Sequence, residues 1–121
     1  MATIFIVDDE PMLHEFYGSI LEISGHEIVA DAYDGDEAVE ILKTMNEPPE
    51  VVILDHRMPG KDGIETTEEL LKINPDIKII FASADASVRD DALASGACDF
   101  LSKPFAIGDL LLEIEDLIAG S

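Results

Sequence analysis

Positive charge is scarce in this sequence: seven Lys and Arg stand against 27 Asp and Glu, a formal net charge of −20. The first basic residue is Lys43, so the N-terminal third is almost purely acidic. Such a surface repels nucleic acid and anionic lipid and lacks the basic patch that nucleic-acid binders use. No nucleic-acid or membrane partner is therefore expected, whereas metal cations and basic proteins are favoured. Most of the carboxylates read as solvated helix faces. Cysteine is nearly absent; the single Cys98 cannot close an intramolecular disulfide, so nothing calls for an oxidising compartment. Long apolar runs are missing as well, and none is of a length to span a bilayer. The early run Ile4-Phe5-Ile6-Val7 has no basic residue before it and stops at Asp8, unlike a secretory signal. A cytoplasmic location is expected.

The 121 residues suit one domain, and 47% hydrophobic with 28% charged is a globular balance. The apolar residues come in short, regular runs, which argues against disorder. Thr3–Val7 reads as a first strand. Pro11 opens a first helix, with Leu13, Phe16, Tyr17, Ile20, Leu21 and Ile23 at helical spacing and Gly25 closing it. Glu27–Ala32 is a second strand, and Asp36–Met45 a second helix with Ala38, Val39, Ile41 and Leu42 inward. Val51–Leu54 is an unbroken apolar run, as for a strand buried on both faces. Asp62 is placed to cap a third helix over Gly63–Ile73. Ile77–Phe81, Ser87–Ser95, Cys98–Leu101 and Ile107–Ile118 complete the series as strand, helix, strand and helix. Strict alternation predicts an α/β fold, a five-stranded parallel sheet with right-handed crossovers and helices on both faces, doubly wound in three layers.

In such sheets ligands bind beyond the carboxyl ends of the strands. The first strand ends at Asp8-Asp9, the third at Asp55, the fourth at Ser83 and the fifth at Ser102-Lys103-Pro104. Each piece alone is ordinary, but together they bring three carboxylates, a hydroxyl and an ammonium to one edge. Crowded carboxylates repel, and a divalent cation removes that conflict. Oxygen ligands alone point to Mg²⁺, or Mn²⁺, rather than Zn²⁺. His14, His26 and His56 are far apart in sequence; His14 and His26 read as plain surface residues, and His56 as a solvent-facing loop residue. A cation, a lysine and a hydroxyl are the equipment for phosphoryl transfer, in which charge spreads over three equatorial oxygens. The metal takes one oxygen, Lys103 another, and Ser83 with the Ala84 backbone N–H the third. Asp55, alone at the end of a buried central strand, is the candidate nucleophile, forming an aspartyl-phosphate. Asp8 and Asp9 are better placed as metal ligands.

At these residues the chain resembles the receiver domains of two-component response regulators, the CheY-like family. The matching pieces are Val7-Asp8-Asp9-Glu10, Leu54-Asp55-His56-Arg57-Met58-Pro59-Gly60, Asp62-Gly63, Ser83-Ala84 and Lys103-Pro104-Phe105, and the resemblance runs over residues 1–121 as one receiver domain. It implies strand order 2-1-3-4-5. It implies that Asp55 accepts a phosphoryl group from a sensor histidine kinase or a histidine phosphotransfer protein. Asp9 and Asp55 would bind Mg²⁺ directly, Asp8 through water, and Arg57 through its backbone carbonyl. Ser83 and Lys103 would touch the phosphoryl oxygens, and the Lys103–Pro104 bond would be cis. Phe100 matches the family's aromatic switch position: Ser83 moves toward the phosphoryl group, Phe100 rotates inward, and the face formed by the fourth helix, fifth strand and fifth helix is remodelled. Arg57 and Asp85, two residues after Asp55 and Ser83, would influence phosphoryl lifetime, with Arg57 covering the acyl phosphate or pairing with Asp85.

Three other readings compete. A flavin mononucleotide carrier shares the architecture but needs a Ser/Thr/Gly-rich loop where this chain has Asp8-Asp9-Glu10. A haloacid-dehalogenase-type phosphatase wants Asp-x-Asp there, and Glu10 stands in the second position. A non-phosphorylated pseudo-receiver, purely a binding module, is disfavoured by the complete acceptor, metal and lysine set. The domain reads as a signalling switch, catalysing only its own phosphorylation and dephosphorylation. Its output is expected through protein contact, as a diffusible messenger of the chemotaxis type or as a phosphorelay intermediate. It is expected as a monomer, with phosphorylation-dependent dimerisation as the alternative.

Overall fold

The apolar runs alternate in the direction of their side chains, and that alternation sets the layers. A computed structural model describes residues 2–56 and 61–119. Five strands, β1 (Thr3–Val7), β2 (Glu27–Ala32), β3 (Val51–Asp55), β4 (Lys78–Ser83) and β5 (Asp99–Ser102), form one parallel sheet in the order β2-β1-β3-β4-β5. The helices are α1 (Pro11–Ile23), α2 (Gly35–Thr44), α3 (Gly63–Ile73), α4 (Arg89–Ala94) and α5 (Ile107–Ala119). Successive strand residues face opposite sides. Phe5, Val7, Val52, Leu54, Ile79 and Phe81 therefore pack under α2, α3 and α4, with Leu42, Leu70 and Ala92. Ile4, Ile6, Val51, Ile53 and Ile80 face the other way, onto Tyr17 and Leu21 of α1 and Leu110 and Ile114 of α5. The central β3 is buried at all five positions, whereas the edge strand β2 alternates between exposed and half-buried until Ala32.

Local chemistry fixes the helix ends. The Asp34 and Asp62 carboxylates accept the backbone N–H of Glu37 (2.7 Å) and Glu65 (2.9 Å), satisfying donors at the starts of α2 and α3. Gly25 and Gly96, at φ of 94° and 115°, turn the chain after α1 and α4 in a conformation that side chains disfavour.

Several boundaries differ from the sequence reading. The segment expected as one helix over Ser87–Ser95 is a 3-10 turn at Ala86–Val88 followed by the short α4. Asp85 draws the Ser87 N–H onto its carboxylate at 3.0 Å, tightening the first turn. Strand β4 runs on to Ser83 because Ala82 and Ser83 still have partners in Asp55 and Ser102. On α1 the inner face is taken by His14, Tyr17 and Leu21, so Phe16 and Ile23 point outward at 51% and 86% exposure.

Gly63, at the start of α3, is a point of close approach. A Cβ there would lie 2.8 Å from the His56 Cα and 2.9 Å from the Phe81 Cζ, so backbone and a buried ring would both have to shift. Gly63→Ala is expected to cost about 1–3 kcal/mol through overpacking, read as a lower urea midpoint at unchanged slope.

Candidate functional site

The strand registers bring the chemistry together. Val7 pairs with Leu54, so the next residues, Asp8 and Asp55, come side by side at the carboxyl edge. Asp55 pairs with Ala82, so Ser83 is one step diagonal to it, and Ser83 pairs with Ser102, so Lys103 follows on the same edge. Two backbone bonds hold these steps: His56 N–H to the Ala82 carbonyl at 3.2 Å and Lys103 N–H to the Ser83 carbonyl at 2.9 Å. The Lys103–Pro104 peptide is cis.

Lys103 reaches back across the edge. Its Nζ donates to Asp55 Oδ1 at 2.8 Å and lies 3.4 Å from Asp8 Oδ2. Asp8 and Asp55 are nearly buried and Asp9 is exposed; one carboxylate oxygen from each of the three lies within 4.8 Å of the others. Three hard oxygen donors with one open side are a fitting set for Mg²⁺ or Mn²⁺. Burial pushes the Asp55 carboxyl above its ordinary range; the Lys103 hydrogen bond and charge pull it down, and the charges of Asp8 and Asp9 push it up again. Burial alone would lower the Lys103 ammonium, but the hydrogen bond and charge of Asp55, with the charges of Asp8 and Tyr17, raise it overall.

Ser83 is buried, and its Oγ accepts the Asp85 N–H at 3.0 Å. Phe100 is 8% exposed and stacks on Phe81, its register partner, with ring centroids 6.0 Å apart. Ala84 and Lys103 share the wall of an apolar groove of about 450 Å³ with Leu13, Phe16, Tyr17 and Phe105. Arg57, expected to offer a carbonyl to the metal and a side chain toward Asp85, lies outside the described residues, as does the rest of the segment 57–60.

Three histidines depart from the sequence reading. His14, expected at the surface, is buried: Nε2 meets the Asp8 carbonyl at 2.7 Å and Nδ1 meets Asp31 Oδ1 at 2.9 Å. Its position three residues before Tyr17 and seven before Leu21 on the inner face of α1 was the available signal. His26 is also buried, and its Nδ1 accepts the Ala2 N–H at 3.0 Å. His56, expected to face solvent, is half-buried with its ring 5.5 Å from that of Phe81. Its backbone is tied to the start of α3, where the Gly63 N–H donates to the His56 carbonyl at 3.1 Å.

Residues 4–115 match the family described as the response regulator receiver domain. The chain is 39% identical over 112 residues to the chemotaxis protein CheY of Bacillus subtilis, covering 91% of each. It is 36% identical over 114 residues to the transcriptional regulatory protein PdtaR of Mycobacterium tuberculosis, covering 93% of this chain but 54% of that protein. The solved response regulator TrrA of Thermotoga maritima, in complex with Mg²⁺ and BeF, superposes with a TM-score of 0.85 at 34% identity, over 97% of this chain and 99% of that one.

Proposed function

Because the chain belongs to the response regulator receiver domain family, we propose that it is a phosphorylation switch of a two-component system in which Asp55 is the acceptor. Phosphorylation switching is general to this family, and its members are signalling domains rather than turnover enzymes. The observation that carries the assignment is the contact of Lys103 with both Asp55 and Asp8 in a pocket whose three carboxylates converge.

In the forward step an Asp55 carboxylate oxygen attacks the phosphorus of a phosphohistidine. The O–P bond forms, the N–P bond breaks, and the imidazole leaves with the bonding pair. Asp9 and Asp55, with Asp8 through water, would hold Mg²⁺, which would supply positive charge to the transferring oxygens. By the receiver resemblance, the Arg57 carbonyl would complete that set. Lys103 moves its donated hydrogen bond from the carboxylate to a phosphoryl oxygen. Ser83 and the Ala84 N–H bind another; the Ser83 hydroxyl donates its own hydrogen and keeps accepting the Asp85 N–H. Water later cleaves the acyl phosphate and restores the carboxylate. The apolar groove beside Lys103 gives the donor protein, a histidine kinase or a phosphotransfer protein, a resting surface next to the acceptor.

The Asp85 N–H bond ties Ser83 to the start of the 3-10 turn before α4, and Val88 of that turn packs on the cluster that holds Phe100. Phe100 already packs inward on Phe81, so phosphorylation acts by shifting weight toward arrangements that keep it there. The face that changes is α4-β5-α5, the surface offered to the output protein. That face is acidic: beside Asp90, Asp91, Asp109 and Asp116, Glu113 is pushed up to about 7 by a hydrogen bond to Asp99, by burial, and by the charges of Asp99, Asp116 and Asp109. A basic partner suits it, and self-association through it is opposed.

Incubation with a small acyl-phosphate donor and Mg²⁺ tests the reading. Intact mass is expected to rise by one phosphoryl group, and chelation of the metal to prevent it. No mass gain at any donor concentration would leave the chain a binding module.

A further inference from the structure

We infer that His14 is a positioning residue for the metal-binding carboxylates, acting by gripping the Asp8 carbonyl from α1. The inference rests on the reading of Asp8 and Asp9 as metal-binding residues and adds what holds them in place. The carbonyl only accepts, so the ring carries a hydrogen on Nε2 and donates it over 2.7 Å. A peptide unit is planar, so fixing the Asp8 carbonyl fixes the plane that it shares with the Asp9 nitrogen. Both Cα atoms lie in that plane, so the grip steadies the points from which the Asp8 and Asp9 side chains leave the backbone. Two further bonds grip the same residue, Asp8 N–H to the Ala32 carbonyl at 3.1 Å and Glu10 N–H to Asp8 Oδ1 at 2.9 Å.

The ring is itself located from β2. Asp31 Oδ1 lies 2.9 Å from Nδ1, and the Tyr33 ring centroid is 4.3 Å away. His14 thus links the end of β1, the end of β2 and the first turn of α1 beside the three converging carboxylates. Groups that orient metal-binding residues in this way typically carry tenfold or more in metal affinity.

Mg²⁺ titration calorimetry on chelator-stripped protein tests the inference, with amide hydrogen exchange on the metal-free protein and urea stability measured alongside. Asp9→Asn is expected to lose most Mg²⁺ binding. His14→Leu is expected to weaken binding about tenfold and to speed exchange at the Glu10 amide. His14→Gln, which can present an N–H near the place of Nε2, is expected to recover most of both effects. Asp31→Ala is expected to weaken binding in the same direction but less than His14→Leu, and it keeps the test open if His14→Leu does not fold. Wild-type Mg²⁺ affinity in folded His14→Leu, or in Asp31→Ala where that variant alone folds, would overturn the role of His14 while leaving the site intact. So would a His14→Gln variant as impaired as His14→Leu. A wild-type protein that binds no Mg²⁺ would overturn the underlying site and this inference with it.

Discussion

Asp55→Asn is expected to abolish the one-phosphate mass gain from an acyl-phosphate donor while leaving the protein folded. The carboxamide has no anionic oxygen to attack phosphorus, so no acyl phosphate forms. It keeps an Oδ1 that accepts from Lys103, so the 2.8 Å contact survives and the ammonium is not stranded. The variant also reports on charge. Asp55 is raised in the folded protein, first by burial, so the folded form holds its proton to higher pH than the unfolded chain does. Stability from this group is complete below the ordinary value of 3.8 and is lost as pH rises through the raised value. Without metal, the wild type is therefore expected to lose stability across that window, and Asp55→Asn to lose less. Mg²⁺ is expected to restore stability to the wild type by mass action. Retention of the mass gain in the Asn variant would place the acceptor elsewhere and end the proposed mechanism.

Much of this was legible in the sequence because the rules involved are local. Every strand and helix of the alternation forms, and α3 spans Gly63–Ile73 as read, since Asp62 and the apolar periodicity specify its start and face. The acidic pocket was legible for a related reason. Parallel strands deliver their carboxyl ends to one edge, so residues directly after apolar runs must meet there. What was not legible depends on which neighbour fills a place. Phe16 and His14 are both on α1, and hydropathy favours the Phe as the buried one. The structure buries the His because Asp31 and the Asp8 carbonyl, supplied by two other elements, give its nitrogens partners. The start of α4 was missed likewise, because the Asp85–Ser87 bond competes with the helical pattern.

Phe81→Ala carries the largest expected loss of stability and tests how the pocket is joined to the output face. Phe81 is fully buried on β4 and packs among Phe5, Leu54 and Leu70. Its ring lies between His56, the residue after Asp55, at 5.5 Å and Phe100 at 6.0 Å. Truncation leaves a cavity that β4, paired on both sides, cannot close by moving. The expected cost is about 3–5 kcal/mol, a large share of a typical total of about 5–15 kcal/mol. It would be read in urea as a lower midpoint with the slope unchanged. Phe81→Leu is expected to recover more than half, since it refills most of the volume. The Asp55 chemistry needs none of the Phe81 atoms, so folded Phe81→Ala is expected still to gain one phosphoryl group in mass. Phe100, however, loses the ring on which it stacks. Hydrogen exchange across β5 is then expected to rise and to respond less to phosphorylation than in the wild type. A Phe81→Ala variant that kept the stability and the β5 exchange of the wild type would show that Phe100 is held by something other than this stack.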